Sequence, residues 1–85
     1  MRYTRTNRFK RDYKKLDPGV QKVLEKKLLL LAENPSHPSL RIKRVRRTRG
    51  IWEVSITKQY RMTFQPLEDE IVLRRVGSHK ILQNP

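Results

Sequence analysis

The apolar periodicity changes once along this chain, and it changes at a pair of prolines. Ahead of Pro35 the apolar residues recur at helical spacing. Phe9, Tyr13 and Leu16 line one face, and Val20, Val23, Leu24, Leu28 and Leu31 line another, with Leu29 and Leu30 widening it. Beyond Pro38 the period is two: Trp52, Val54 and Ile56 alternate with Glu53, Ser55 and Thr57, and Tyr60, Met62 and Phe64 alternate with Arg61, Thr63 and Gln65. The segment Pro35-Ser36-His37-Pro38-Ser39 between them excludes both a helix and a central strand. A chain written this way has helices first and strands afterwards, which specifies an α+β domain and not an alternating α/β one.

Local signals place the breaks. Tyr3-Thr4-Arg5-Thr6 reads as a short edge strand, and Asn7 as the N-cap of the first helix. Asp17-Pro18 ends that helix and starts the next, with Asp17 as N-cap and Pro18 at the first helical position; Asn34-Pro35 stops it. Strands are expected from Leu40 through Ile42 to Val45, then at Trp52–Ile56, Tyr60–Phe64 and Ile71–Val76, with Gly77 breaking the last. Short connections favour antiparallel hairpins. The expected architecture is a helical hairpin packed on one face of a mainly antiparallel sheet of four to five strands. Val54, Ile56, Tyr60, Met62 and Phe64 meet the helices. The other face is expected to stay open, presenting Glu53, Ser55, Arg61 and Thr63 with Arg74 or Arg75.

At 85 residues the chain makes one domain, residues 1–85. It contains no cysteine, which excludes a disulfide scaffold, a thiolate zinc site and a cysteine nucleophile and is compatible with a reducing cytoplasm. Two histidines make no convincing metal site, so neither metal nor cofactor is expected. The apolar run Leu28–Ala32 is too short to span a bilayer, and Met1–Arg5 has no apolar segment behind it, so neither membrane insertion nor a signal peptide is expected.

The charge narrows the function classes. The formal net charge is +13, and residues 1–50 carry 16 Lys and Arg against 4 Asp and Glu, a net of +12. Residues 51–85 carry 5 against 4, a net of +1. Such an excess steers a small domain toward polyanions, nucleic acid first. The densest stretch is Arg41, Lys43, Arg44, Arg46, Arg47 and Arg49, six cations within nine residues, suited to a phosphate backbone.

Single residues stand out in the near-neutral half. Arg61 lies mid-strand on the polar face, where a guanidinium fork suits either a phosphate or a cross-strand ion pair with Glu53. His79 follows Gly77-Ser78 at a strand end, among few acids, as a proton-transfer group or as a plain surface histidine. Glu53 is the lone acid between Glu33 and Glu68, either a general base or an ion-pair partner. His37 in the connector reads as structural. No Gly-rich phosphate loop, nucleophile elbow or HExxH motif is present.

Taken in order, Phe9-Lys10-Arg11-Asp12-Tyr13-Lys14-Lys15-Leu16, His37-Pro38-Ser39-Leu40-Arg41, Gly50-Ile51-Trp52-Glu53-Val54-Ser55-Ile56, Tyr60-Arg61-Met62-Thr63-Phe64 and Val76-Gly77-Ser78-His79 resemble the RelE/ParE toxin superfamily, most strongly its RelE-like branch with the YafQ-like and YoeB-like toxins. The resemblance covers almost the whole chain. It implies two N-terminal helices on an antiparallel sheet and a ribosome-dependent endoribonuclease. Such a toxin cuts mRNA in the ribosomal A site by attack of a ribose 2′-oxygen on the adjacent phosphate. Arg61 matches the strand arginine that contacts the phosphate, and His79 the histidine that serves as acid or base. Glu53 and Arg75 complete the expected catalytic set, and the cations of residues 41–49 the grip on ribosomal RNA. Where some members carry a pair of strand lysines this chain has Glu53 and Ser55, and its tail after Ser78 has no Tyr or Phe. The resemblance also implies a cognate acidic antitoxin, a cytoplasmic location, and a toxin that is monomeric alone and hetero-oligomeric with its antitoxin. Two other functions fit the same composition: a ParE-like gyrase inhibitor, and a non-catalytic basic module that binds RNA or the ribosome.

Overall fold

The computed structural model describes residues 2–85. The chain opens as strand β1 (Arg2–Arg5), and the next residue decides where the first helix begins. Thr6 has extended backbone, and its Oγ1 accepts from the Phe9 N–H at 3.0 Å, so Thr6 and not Asn7 caps helix α1 (Asn7–Lys14). The reason is tertiary. The same hydroxyl donates to the Arg74 carbonyl at 3.1 Å, and the Thr6 N–H bonds the Leu73 carbonyl at 3.1 Å, so the cap is tied to the last strand.

Helix α2 (Pro18–Glu33) starts at Pro18 as the sequence indicates, although the Asp17 side chain makes no capping bond. The Gln21 side-chain amide donates to the Tyr13 carbonyl at 2.9 Å and staples the helical hairpin. Phe9, Leu16, Leu24 and Leu31 are buried, while Leu29 is 64% exposed. Leu29 follows Leu24 by five residues, roughly 140° around the helix, so it cannot widen the buried stripe and faces outward.

Beyond α2 the expected strand from Leu40 is mostly replaced by a turn. Pro38–Leu40 form a 3-10 helix whose start is capped by His37 Nδ1, which accepts from the Ser39 N–H at 3.1 Å. Leu40 is fully buried, and Arg41 then turns the chain in a left-handed conformation with φ 47°. The ladder is left with only Lys43–Arg44 as β2. Strands β3 (Trp52–Ser55), β4 (Tyr60–Pro66) and β5 (Glu70–Ser78) follow. The five strands lie in the order β1-β5-β4-β3-β2, with β1 parallel to β5 and every other pair antiparallel. Cross-strand register puts Val54, Met62 and Val76 in one row and Trp52, Phe64 and Leu73 in the next. A bulge opposite Thr63 and Phe64 inserts Arg74. This face meets the helices: Phe9, Leu24, Val54, Met62 and Leu73 are fully buried in one core. The domain is α+β, as its periodicity specifies. No helix among the described residues is long and apolar enough to cross a membrane.

The second sheet face is not open. A C-terminal 3-10 helix, His79–Gln83, turns back across it. Ile81 is buried there, and a Cβ built on Gly77 would meet Ile81 Cγ2 at 2.9 Å, so Gly77 gives this segment room to lie flat. The Pro85 carbonyl accepts from Thr63 Oγ1 and from Arg74 Nε, each at 3.2 Å, and the Asn84 carbonyl from Arg75 Nη1 at 3.2 Å. Thr63 and Glu53, expected on an open face, are therefore buried, at 0% and 5% exposure. The alternation assigned the face correctly; it carried no information that the tail would cover it.

Candidate nucleic-acid interface and active face

The six-cation stretch is built as a clamped arm. Strand β2 and the following loop close on themselves: the Val45 N–H bonds the Ile51 carbonyl at 2.9 Å, and Thr48 Oγ1 donates to the Val45 carbonyl at 2.7 Å. Left-handed residues at Arg47 (φ 64°) and Gly50 (φ 79°) turn the loop; glycine takes that conformation without steric cost, arginine does not. Val45 is buried and anchors the arm, while Arg41, Lys43, Arg44, Arg46, Arg47 and Arg49 are all exposed. Among the described residues none of the six lies within ion-pair distance of a carboxylate. Acids elsewhere pair with Arg2, Arg5, Arg8, Arg61 and Arg75, so the arm presents unneutralised charge to solvent.

Beside the arm the sheet brings Glu53 and Arg61 together. Lys43, Glu53, Thr63 and Arg75 share one cross-strand row; Ser55, Arg61 and Gly77 share the next. Glu53 and Arg61 meet diagonally, with 3.6 Å from Arg61 Nε to Glu53 Oε1. Arg61 Nη1 donates to three carbonyls, Thr57 at 2.8 Å, Lys58 at 3.2 Å and Tyr60 at 3.0 Å, which ties this guanidinium to the β3–β4 turn. Both readings of Arg61 thus have a geometric basis: it forms the ion pair with Glu53, and its Nη2 makes no hydrogen bond to the described residues.

The register pairs Tyr60 with Ser78 and Arg61 with Gly77, so His79 leaves the sheet at the end that carries Arg61. His79 is exposed, opens the C-terminal 3-10 helix, and its ring makes no hydrogen bond to the described residues. Arg75 is engaged differently. Its Nε and Nη2 grip Asp12 Oδ2 and Oδ1 at 2.9 and 3.2 Å, and its Nη1 takes the Asn84 carbonyl. Asp12 Oδ2 also accepts the Val76 N–H at 3.2 Å. Strand β1 pairs with β5 only as far as Leu73, so Asp12 from α1 supplies the acceptor that the missing strand would have given. Sequence reasoning missed Asp12. Its signal was available: it stands three residues after Phe9 and four before Leu16, on the stripe that faces the core.

A second charged cluster lies by the helices. The Arg5 guanidinium donates to both Glu25 oxygens at 2.8 and 3.1 Å and stacks over the Phe9 and Tyr13 rings, 5.5 and 5.2 Å from their centroids. Burial pushes the Glu25 carboxyl up, but hydrogen bonds from Arg5 and Tyr13 and the Arg5 charge outweigh it and hold Glu25 below the usual carboxylate range. The bond to Glu25, and then burial, raise the Tyr13 hydroxyl. Arg5, Glu25, Phe9 and Tyr13 thus hold one another, which makes the cluster a structural brace.

The comparisons with known proteins fit this geometry. A family model described as "ParE toxin of type II toxin-antitoxin system, parDE" matches residues 3–82. No curated protein sequence matches significantly. Among solved structures, the RelB-RelE antitoxin-toxin complex from Methanococcus jannaschii is similar with a TM-score of 0.76 at 18% identity, covering 95% of each chain. The YoeB/ParE toxin from Agrobacterium tumefaciens gives 0.79 at 14% identity, covering 93% of this chain and 99% of that one. YafQ from Escherichia coli strain BL21(DE3) gives 0.76 at 16% identity, covering 96% and 98%. At these identities the structures establish the shared fold, helical hairpin on sheet.

Proposed function

This chain belongs to the ParE toxin family of type II toxin–antitoxin systems, and from that premise we propose that it is a ribosome-dependent endoribonuclease that cuts mRNA in the A site and so inhibits translation. The observation that carries the reading is the pairing of an unneutralised basic arm with a free imidazole at the Arg61 end of the sheet. The arm grips ribosomal RNA, and the groups beside it act on the mRNA.

The reaction forms a bond from a ribose 2′-oxygen to phosphorus and breaks the bond from phosphorus to the 5′-oxygen, leaving a 2′,3′-cyclic phosphate and a 5′-hydroxyl. It needs a proton taken from the 2′-hydroxyl, a proton given to the leaving oxygen, and positive charge against the phosphoryl oxygens. His79, exposed and uncommitted, moves a proton. Arg61 meets the phosphate through its free Nη2 while its Nη1 stays fixed on the turn. Glu53 forms an ion pair with Arg61 and helps to hold it in place, and solvent serves as the second proton-transfer partner. Arg75, bound to Asp12 and to the Asn84 carbonyl, acts as a positioning residue that fixes the tail carrying His79. The chemistry calls for no cofactor.

The family premise also supports an acidic antitoxin as partner, and a cytoplasmic site of action follows from the ribosomal target. Three of the similar structures are toxin–antitoxin complexes, one from M. jannaschii and two from E. coli. A net charge of +13 suits an acidic segment that folds on contact.

The test is translation of a reporter mRNA in an extract, with primer extension. Added toxin should produce new 5′ ends within translated codons, and naked mRNA should survive. His79→Ala should remove most cleavage while leaving the circular dichroism spectrum intact, because the exposed ring makes no hydrogen bond to lose. Undiminished cutting by this variant would defeat the site assignment. The family model's ParE description favours one rival, gyrase inhibition. Intact mRNA together with an induced DNA-damage response would establish it instead.

A further inference from the structure

Glu53 is nearly buried and nearly unpartnered. Its side chain is 6% exposed, its one ion pair among the described residues is with Arg61 Nε at 3.6 Å, beyond hydrogen-bond length, and no N–H or O–H of theirs donates to it, while neither oxygen is sealed from solvent. A ligand that displaces solvent from this carboxylate has to offer donors in its place, for two oxygens. Two adjoining pockets share Glu53 as a wall. One, of about 330 Å³, is bounded by Arg41, Lys43 and Arg61. The other, of about 490 Å³, is bounded by Lys43, Arg44, Arg46 and the tail residue Leu82. Each is of a size that takes a small ligand.

The surroundings specify what fits. The ligand must bring anionic groups for the cations at the rim and a side-by-side pair of N–H donors for the carboxylate. A nucleotide bearing guanine has both, since N1–H and N2–H lie adjacent on the free pairing edge of the base. Adenine and cytosine offer one exocyclic amine beside an acceptor nitrogen, and uracil offers one N–H between two carbonyl oxygens that repel a carboxylate. An arginine-bearing peptide also offers paired N–H groups. It would carry a further cation into a site already ringed by Arg41, Lys43, Arg44 and Arg46, which disfavours it. We infer that Glu53 is a specificity-determining residue that reads a guanine in single-stranded RNA, with the arm's cations on the flanking phosphates. The strand must be single because the pairing edge has to be free. The inference rests on the RNA-binding reading of this face.

The experiment measures equilibrium binding of the full chain to the RNA pentamers UUGUU, UUIUU, UUAUU, UUCUU and UUUUU at low salt, without ribosomes. UUGUU should bind about tenfold more tightly than UUUUU. The inosine pentamer, which lacks only the 2-amino donor, should fall between them. Glu53→Gln should shift the rank order from guanine toward adenine, because an amide presents one donor and one acceptor. Glu53→Ala should flatten it. Equal binding of all five pentamers by the unaltered chain overturns the inference and leaves the RNA-binding reading standing. Absence of binding to any pentamer overturns both. Equal affinities together with tight binding of an arginine-bearing peptide that Glu53→Ala abolishes would assign the carboxylate to a protein partner, which also overturns it. The comparison of G, I and U in the unaltered chain can overturn the inference even if neither variant folds, and a guanine preference that Glu53→Ala leaves intact overturns it as well.

Discussion

Replacing Asp12 by alanine should be among the most damaging single changes in this domain. The carboxylate is 7% exposed, grips Arg75 through two nitrogens and accepts the Val76 N–H, and Arg75 itself is 16% exposed. Truncating one partner of a buried ion pair costs about 3–5 kcal/mol, because the other charge is left in a poor solvent. The stranded Val76 N–H adds about 1–3 kcal/mol. Arg75 keeps the Asn84 carbonyl and reaches some water, which places the sum toward the low end, about 4 kcal/mol. A domain of this size has roughly 4–13 kcal/mol in total, so the variant should be close to unfolding. In urea, with a slope of about 1–1.5 kcal/mol/M, the midpoint should fall by about 3 M. Asp12→Asn keeps an oxygen for Val76 and loses the charge, so it should fall between. A double cycle with Arg75→Ala isolates the pair. A drop under about 1 kcal/mol for Asp12→Ala, or no coupling to Arg75, would refute the account of this residue as both charge partner and strand substitute.

Other outcomes follow from the same geometry. Gly77→Ala drives a methyl to within 2.9 Å of Ile81, which should cost about 1–3 kcal/mol; hydrogen exchange should show lost protection in residues 79–83, and Ile81→Ala in the same chain should restore part of the stability. Replacing Arg44 and Arg46 by glutamine should weaken single-stranded RNA binding and flatten the slope of log affinity against log salt by about 1.4 if each meets a phosphate; an unchanged slope would take these two residues off the RNA path. The Glu25 carboxyl is held below its unfolded value, so its contribution is present above the ordinary carboxylate range and is lost as pH falls through the lowered folded value. Acid titration of stability should therefore be shallower in Glu25→Gln than in the unaltered chain, and an identical profile would remove Arg5–Glu25 from the acid response.

Much of this domain is legible in its sequence, and the reason is periodicity. Residues at helical spacing that bury Phe9, Leu16, Leu24 and Leu31, and alternating residues that bury Val54, Met62 and Phe64, can satisfy their apolar faces only by meeting each other. The proline-flanked connector forces the change of period. The basic arm was equally plain, since six cations in nine residues with no acid among them have to be solvated or bound to something else. Arg61 beside Glu53 on one sheet face follows from alternation, and the diagonal contact agrees with it.

Tertiary structure decided what lies far apart in sequence or turns on a single hydroxyl. Thr6 displaced Asn7 as cap because the last strand was there to receive its hydrogen bond. Asp12 became an acceptor for Val76 because β1 stops short. The tail closed the second sheet face because Gly77 left room for Ile81, and that closure turned Glu53 from an exposed strand residue into a nearly buried carboxylate between two basic pockets. Local pattern sets which face of each element is apolar. It carries no information about which distant segment arrives to cover the polar one, and on this molecule that arrival shapes the surface on which the proposed chemistry depends.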